Sequence, residues 1–401
     1  MREILINEPA FVRSFSCTGG ACRDHCCKGW QITLDKQTVK KYTTSKDFTI
    51  RTIAEQSIDI VKKSQQDWGI VKFSPLTGNC PYFDEDRLCR VQKSMGAQAL
   101  SHTCSMFPRS NRVYKAEIQH SLNISCPEVA SIIFSDADAM RFSERVVLQD
   151  KFNNANPISA QNKLLNLFCL SLIDFVETDV ETGLYATIKF LMFIEKVETI
   201  DDASLVEIEN AYAVLAGQLQ SGEMKQELAA LSTDKKVKVS LVLLMQDFFR
   251  KKATTRGSGV LNYYIDYLLH ALFAQQDAGL EEKITAIENA WQEIVLPSFE
   301  ESAFAIKNFI LYKFWQNNFP NYQGVPPLRA LYMIVAEYYF IKLLASACAK
   351  HKGSIERDDL VNIVYSFHSL SQHNKALTET FYGHIESVRS GDDLSMIHLL
   401  G

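Results

Sequence analysis

Eight of the ten cysteines in this 401-residue chain fall before residue 127: Cys17, Cys22, Cys26, Cys27, Cys80, Cys89, Cys104 and Cys126. Only Cys169 and Cys348 lie beyond. The stretch "CTGGACRDHCCKGW", residues 17–30, holds four of them, two side by side. Adjacent cysteines would close a small, strained ring, so a Cys26–Cys27 disulfide is disfavoured. The thiols then belong to a metal site, to disulfides with partners further away, or to a reduced core. The start, "MREILINEPAFVRSF", has neither the apolar run nor the small-residue cleavage site of a signal peptide. No stretch reaches the ~18 uncharged apolar residues of a membrane span. The best, "ALYMIVAEYYFIKLL", is interrupted by Glu337 and Lys342. These features predict a cytoplasmic protein with no membrane partner, a compartment in which clustered thiols more often hold metal than form disulfides. Their crowding into one third of the chain argues against simple core packing. Cys169 and Cys348, each alone on an apolar helical stretch, are ordinary core residues.

The same asymmetry divides the chain. Residues 1–150 are expected to form a small, irregular, cysteine-rich metal-binding domain with short hairpins, and residues 151–401 a multi-helix bundle, so that the fold class is mainly α. The boundary falls in "LQDKFNNANPISAQ", 148–161, where Asn-Asn-Ala-Asn-Pro is turn chemistry. In the first part "WQITL" predicts a strand, and "CPYFDEDRLCRV" a hairpin with the acidic residues at its turn. Helices are expected over "DKQTVKKYTT" and Val91–Leu100. Elements this short bury little surface, and a metal cross-link would offset the weak core. In the second part, apolar residues recur at helical spacing in about nine segments joined by short connections. A net charge of −5 and a pI near 6 disfavour a nucleic-acid partner, since such proteins neutralise phosphates with a basic excess. The short basic run of Arg250, Lys251, Lys252 and Arg256 reads as a solvated loop.

The cysteine spacing is C-x4-C-x3-C-C, then C-x8-C-x14-C-x21-C. The close C-x2-C pairs of a structural zinc site are absent. Iron–sulfur clusters also take four thiolates and tolerate looser spacing, and soft thiolates suit either metal. Spacing leaves both open. Neighbouring residues on a strand or helix point in different directions, so of Cys26 and Cys27 one is expected to ligate and the other to pack. His25, His102 and His120 lie close enough in sequence to join such a site. The C-terminal His368, His373, His384 and His398 show no ligand-pair spacing with an acid.

Taken together, "PAFVRSFSC…CRDHCCKGWQITLD", "CPYFDEDRLCRVQKSMG", "LSHTCSMFPR" and "SLNISCPEVA" resemble the flagellin lysine-N-methylases. The amino-terminal part of that family belongs to a wider group of eight-cysteine domains described as zinc- or iron-chelating. The resemblance covers at least residues 8–130, and the helical remainder has the length expected of the family. It implies a protein-lysine N-methyltransferase of the cytoplasm that moves a methyl group from S-adenosylmethionine to lysines of flagellin. It further implies an iron–sulfur cluster, [4Fe–4S], held by about four of the eight cysteines, with zinc as the alternative; Cys22 and Cys26 are the first expected ligands, with others from Cys80, Cys89, Cys104 and Cys126.

The residues themselves do not show how methyl transfer would be carried out. "CTGGAC" and "TRGSGV" lack the strand–G-x-G-x-x-G–helix setting of a nucleotide-binding turn, and the third thiol of a radical C-x3-C-x2-C motif is misplaced. Transfer to an amine needs a deprotonated lysine, alignment and exclusion of water. Asp84, Glu85 and Asp86 are candidates for taking the proton, although their plainer role is as turn acids. Arg109 is a candidate for the cofactor's carboxylate, and Trp30, Tyr82 or Phe107 for its adenine, although each is more often simply a packing residue. A non-catalytic metal-binding or redox-sensing module that docks a protein partner, and an electron-transfer protein, remain open on the residues alone.

Overall fold

The computed structural model describes residues 2–149, 154–177, 179–198, 200–251, 255–274, 278–321, 324–371, 375–389 and 394–401. The junction 150–153, Lys252 and His373 lie outside them. The fold is mainly helical, with small sheets confined to the amino-terminal part. Its strands are β1 (Arg2–Pro9), β2 (Ile32–Leu34), β3 (Ile58–Ile60), β4 (Gly69–Val71), β5 (Arg112–Val113), β6 (Glu117–Gln119) and β7 (Phe142–Gln149).

β5, β6, β1 and β7 form one sheet in that order. β1 runs parallel to β6, with Ile6 opposite Ile118, and antiparallel to β7 from Arg2 opposite Gln149 to Pro9 opposite Phe142. Both long strands escape a sequence pattern search. In β7, "FSERVVLQ", Phe142, Val146 and Leu148 are exposed, so no apolar face alternates with a polar one. Backbone pairing with β1 holds the strand instead. β2, β4 and β3 form a second, antiparallel sheet. Beside it lie the helices Lys36–Thr43 and Phe48–Ser57, each started by an aspartate, Asp35 or Asp47, that accepts from the backbone N–H groups of the first turn. The expected hairpin is present as a tight loop: Phe83 bridges Cys89, and Leu88 O accepts from Asp84 N at 2.9 Å. The helix expected over Val91–Leu100 is split at Gly96 into Arg90–Met95 and a short 3-10 turn.

Buried side chains gather in two cores. The smaller draws its buried side chains from residues 32–99, including Ile32, Leu34, Tyr42, Ile50, Val71 and Cys80. The larger is built on the later helices and also takes Phe11, Leu122, Ile124, Val129 and Ile133 from the amino-terminal part. Helix Pro127–Ser135 packs against helices Phe304–Gln316 and Arg357–Ser371. The first 150 residues therefore feed both cores.

The later helices start and stop as their sequences suggest. Ser159, Asp179, Asp201 and Asp234 cap amino termini, and Gly222 and Gly353 take left-handed conformations at carboxyl ends. Helix Pro327–Lys352 is long and apolar enough to cross a membrane, yet 94% of its apolar window is buried inside the fold. Its Glu337 is met there by Lys313 and His368, all three being 1% exposed or less. Lys313 Nζ bonds the Glu337 carboxylate and lies 3.4 Å from His368 Nε2. His368 Nδ1 is 2.8 Å from Val364 O and so donates. Tyr382 Oη completes the group by donating to Glu337 Oε1 at 3.1 Å.

Burial alone would raise the Glu337 pKa, but the Lys313 charge and His368 outweigh it and hold the carboxyl down at about 2. Burial also lowers the His368 pKa. Both shifts have the same sign for stability. A depressed carboxyl contributes fully above its unfolded pKa near 4.5 and loses that contribution as pH falls toward about 2. A depressed histidine loses its contribution as pH falls below its unfolded value near 6.5. The Glu337 contribution is on the order of 3 kcal/mol. Urea unfolding of Glu337→Gln, which leaves the buried ammonium without its counter-charge, should show a loss of roughly 3–5 kcal/mol at neutral pH. Between pH 5 and 3 the variant should lose less further stability than the native chain; parallel curves would show that Glu337 carries no linked charge.

Candidate functional site

Local structure sets the eight thiols in two neighbouring groups. Cys80 N donates to Cys27 O at 2.9 Å, and Gly29 N to Gly78 O at 3.0 Å. Those bonds lay the segment 27–29 along 78–80. Cys80 is buried in the smaller core, and Cys27, Cys89 and Cys104 pack against it. Burial pushes Cys80 up to about 12 and Cys104 up to about 11, with neighbouring thiols, Cys26 and Cys89 among them, adding to each. Cys26 and Cys27 are hydrogen-bonded to one another. Cys27 donates, which brings Cys26 down to about 7 and drives Cys27 far upward. The first group is thus Cys26, Cys27, Cys80, Cys89 and Cys104. The second is Cys22 with Cys17 and Cys126 as its neighbours; burial raises both Cys22 and Cys126. Cys22, expected to act with Cys26 and the downstream thiols, stands with this second group, and Cys26 is in reach of both. Cys169 and Cys348 are buried among the helices.

Among the described residues no three Cys, His, Asp or Glu side chains are gathered as ligands of one ion. The expected metal-binding domain is therefore not shown as such: the thiols are neighbours without being convergent. The chemistry of the set nevertheless fits a soft metal or an iron–sulfur cluster, and one further atom supports the fit. Tyr82 is 3% exposed and its hydroxyl, close enough to Cys80 and Cys89 for their charges to act on it, has no hydrogen-bond partner. A buried O–H facing thiols is suited to donating to a thiolate or a sulfide.

The other expected site residues are dispersed. Asp84 accepts from Leu88 N at 2.9 Å and from Lys93 Nζ at 2.7 Å, so its carboxylate closes the hairpin turn. Glu85 is exposed at the tip, and Asp86 shares Lys93 at 2.5 Å. Trp30 Nε1 donates to Cys26 O at 2.6 Å, and its ring meets Phe107 edge-on at 5.2 Å. Arg109 is exposed and bridges Leu122. His25 stacks on Phe83 at 3.8 Å, and burial with nearby cations lowers it to about 4. His102 is exposed, and His120 Nδ1 pairs with Glu8 at 2.7 Å.

One residue overturns its sequence reading. Arg256, expected in a solvated loop, is 3% exposed. Its Nη2 donates to Asp24 O at 3.0 Å and its guanidinium lies over the Phe107 ring at 5.6 Å. Two glycines permit the approach. A Cβ on Gly29 (φ +74°) would come 2.4 Å from Arg256 N, and one on Gly257 (φ +77°) would come 3.0 Å from Ser366 Cα. Arg23 pins the same seam from outside, to Asp358 at 3.1 Å and Asn362 at 3.2 Å. One described cleft elsewhere, about 560 Å³, is lined by Tyr267, His270, Glu282, Lys350 and His351 among others and by none of the cysteines.

Comparison with known proteins places this arrangement. A family model described as the FliB lysine N-methylase C-terminal domain matches residues 166–399. Over 400 residues and the whole of both chains, the protein is 56% identical to a Salmonella typhimurium protein named Lysine-N-methylase, and equally to a Salmonella choleraesuis protein of that name. A Salmonella muenchen protein named flagellar biosynthetic protein FliU is 61% identical over 145 residues, 36% of this chain and 86% of its own. No solved structure is significantly similar. The class is thus that of the protein-lysine N-methyltransferases. Within it, the chain belongs to the FliB lysine N-methylase family.

The isolated Tyr82 hydroxyl gives a direct check on the thiol pocket. In chelator-treated protein, Tyr82→Phe removes an unsatisfied buried group and should raise the unfolding free energy by about 1 kcal/mol. A loss of similar size would mean that the hydroxyl has a protein partner.

Proposed function

We propose that this chain transfers the methyl group of S-adenosylmethionine to the ε-amino groups of flagellin lysines, in the cytoplasm, with an iron–sulfur cluster held by a subset of its amino-terminal cysteines. The observation that carries the reading is the end-to-end kinship with proteins named Lysine-N-methylase, joined by a shorter relative with a flagellar name. Flagellin is the acceptor that this combination of lysine chemistry and flagellar relatives favours. The most favoured ligands are four of Cys26, Cys27, Cys80, Cys89 and Cys104, which share one pocket with the Tyr82 hydroxyl. When bound, such a cluster supplies a Lewis-acidic or redox-active iron and ties the short elements of the smaller core together.

The chain's own residues would do the rest of the work by placement. A lysine amine must lose its proton before it can attack a sulfonium methyl, and burial disfavours the ammonium form. The seam between residues 22–30 and the helical body offers such a place. Arg256 and Ser125 are almost without solvent contact there, and the rings of Trp30 and Phe107 flank it. An in-line displacement needs little beyond alignment and the exclusion of water.

Anaerobically purified, iron-replete protein incubated with S-adenosylmethionine and flagellin should give a ladder of single-methyl additions by intact mass. Binding of S-adenosylmethionine without modification of flagellin would point to a different acceptor. Alanine at Cys80, Cys89 or Cys104 should lower bound iron, whereas alanine at Cys169 or Cys348 should leave it unchanged. Stoichiometric zinc without iron after the same preparation would replace the cluster by the simpler metal.

A further inference from the structure

A cavity of about 330 Å³ opens where the helix begun at Leu280 gives way to helix Phe304–Gln316. A π-helical turn, Trp291–Val295, forms part of its wall, with Leu296 N donating to Trp291 O five residues back. Such turns widen a helix and recur at functional sites. Val295, Phe299 and Ile306 line the cavity, and none is more than 8% exposed. Gln292 and Glu300 also line it and are exposed, so they mark its opening. The charge there is one-sided. Residues 292–303 carry Glu293, Glu300 and Glu301 and neither lysine nor arginine. All three acids are exposed, and among the described residues none is held in an ion pair. One cation lies close by, Arg357, whose Nη2 donates to the Oγ of Ser302 in the cavity wall at 2.8 Å. It offsets one acid and leaves the others. An apolar slot with an acidic rim complements lysine, which has a long hydrocarbon stem and a compact ammonium. The clefts beside Tyr267, Val239 and Phe193 carry lysines of their own and lack that complementarity.

Resting on the reading of flagellin as the acceptor, we infer that this slot is a recognition subsite for a second lysine of the acceptor protein. The stem lies on Val295, Phe299 and Ile306, and the ammonium meets Glu300. The anchored lysine is not the one that receives the methyl group, because an opposing carboxylate favours the charged amine and so disfavours attack. Helix Arg357–Ser371 relates the slot to the seam. Its first residue reaches Ser302, and the next, Asp358, takes Arg23 at 3.1 Å. The slot and the cysteine segment therefore meet the same end of one helix. A lysine anchored in the slot holds the acceptor's surface there while another lysine enters the seam.

The test is calorimetric titration of the full-length, anaerobically prepared protein with flagellin and with flagellin acetylated at its lysines. The native protein should bind the unmodified form more tightly. Glu300→Gln, at an exposed position, should weaken that binding about twofold to fivefold, the size of one exposed ion pair. Gln292→Trp, which places an indole over the opening, should weaken it roughly tenfold. Neither variant should alter binding of the acetylated form. In steady-state methylation both should raise KM by these factors and leave kcat unchanged, as a subsite outside the chemical step requires. Variants that bind both forms like the native chain, or lose both equally, would overturn the inference, as would a fall in kcat at constant KM. Should the variants fail to fold, the native protein alone decides, because acetylated flagellin that binds as tightly as unmodified flagellin refutes a lysine subsite. Native protein that binds neither form would bring down flagellin as the acceptor along with this subsite.

Discussion

The contact on which the rest of the molecule depends is the burial of the Arg256 guanidinium against residues 24–29. Arginine stays charged in any protein environment, so hiding one commits its surroundings to providing acceptors. The Asp24 carbonyl, the Asp24 carboxylate and the Phe107 ring provide them, and all come from the cysteine-bearing part. Arg256 itself follows 232 residues after Asp24 in the chain. A misplaced thiol segment would leave a bare charge in the interior, at a cost of several kcal/mol. The glycines at 29 and 257 make this registry possible, since a Cβ on either would displace the opposing backbone. Inside the helical body, Lys313, Glu337 and His368 impose a similar discipline on helix Pro327–Lys352. A helix with only apolar side chains to place could slide or turn, but the buried Glu337, together with Lys342 paired to Glu181 at 2.6 Å, fixes the position of this one.

The parts of this fold governed by local physics were legible in the sequence. Helices such as Ala160–Asp174 and Lys235–Arg250 announce themselves by periodic apolar residues and by Ser159 and Asp234 at their starts. The hairpin over Cys80–Val91 was legible for the same reason, as turn acids between apolar arms. β1 and β7 were not, because their stability comes from pairing with each other across more than a hundred residues, and β7 bears no buried face. Helices Glu223–Ala230 and Lys375–Ser387 follow directly on other features, a glycine cap or a neighbouring helix, and do not stand out as separate periodic runs.

The same distinction separates the site residues that were found from those that were missed. The cysteines are conspicuous by density alone, but their division into two groups depends on which backbone segments lie together. Arg256 gave no signal at all. A basic residue in a short run with Arg250 and Lys251 is, on composition, a surface residue, and only a contact between distant segments could bury it. Arg109 illustrates the converse. A basic residue among cysteines looks functional, yet its position on an exposed bridge follows from the turn after helix His102–Met106.

The vicinal cysteines join these two levels. Adjacent side chains must leave the backbone in different directions, so one stretch of chain serves both sides. Cys27 looks into the smaller core toward Cys80 and Cys89, while Cys26 is within reach of Arg256. The backbone between them is fastened on both sides, by Cys80 N to Cys27 O on one and by Arg256 to Asp24 O on the other. Residues 24–27 therefore act as a short strap between the thiol pocket and the helical body. Any movement of the pocket thiols therefore pulls, through four residues of backbone, on the contact between Arg256 and Asp24.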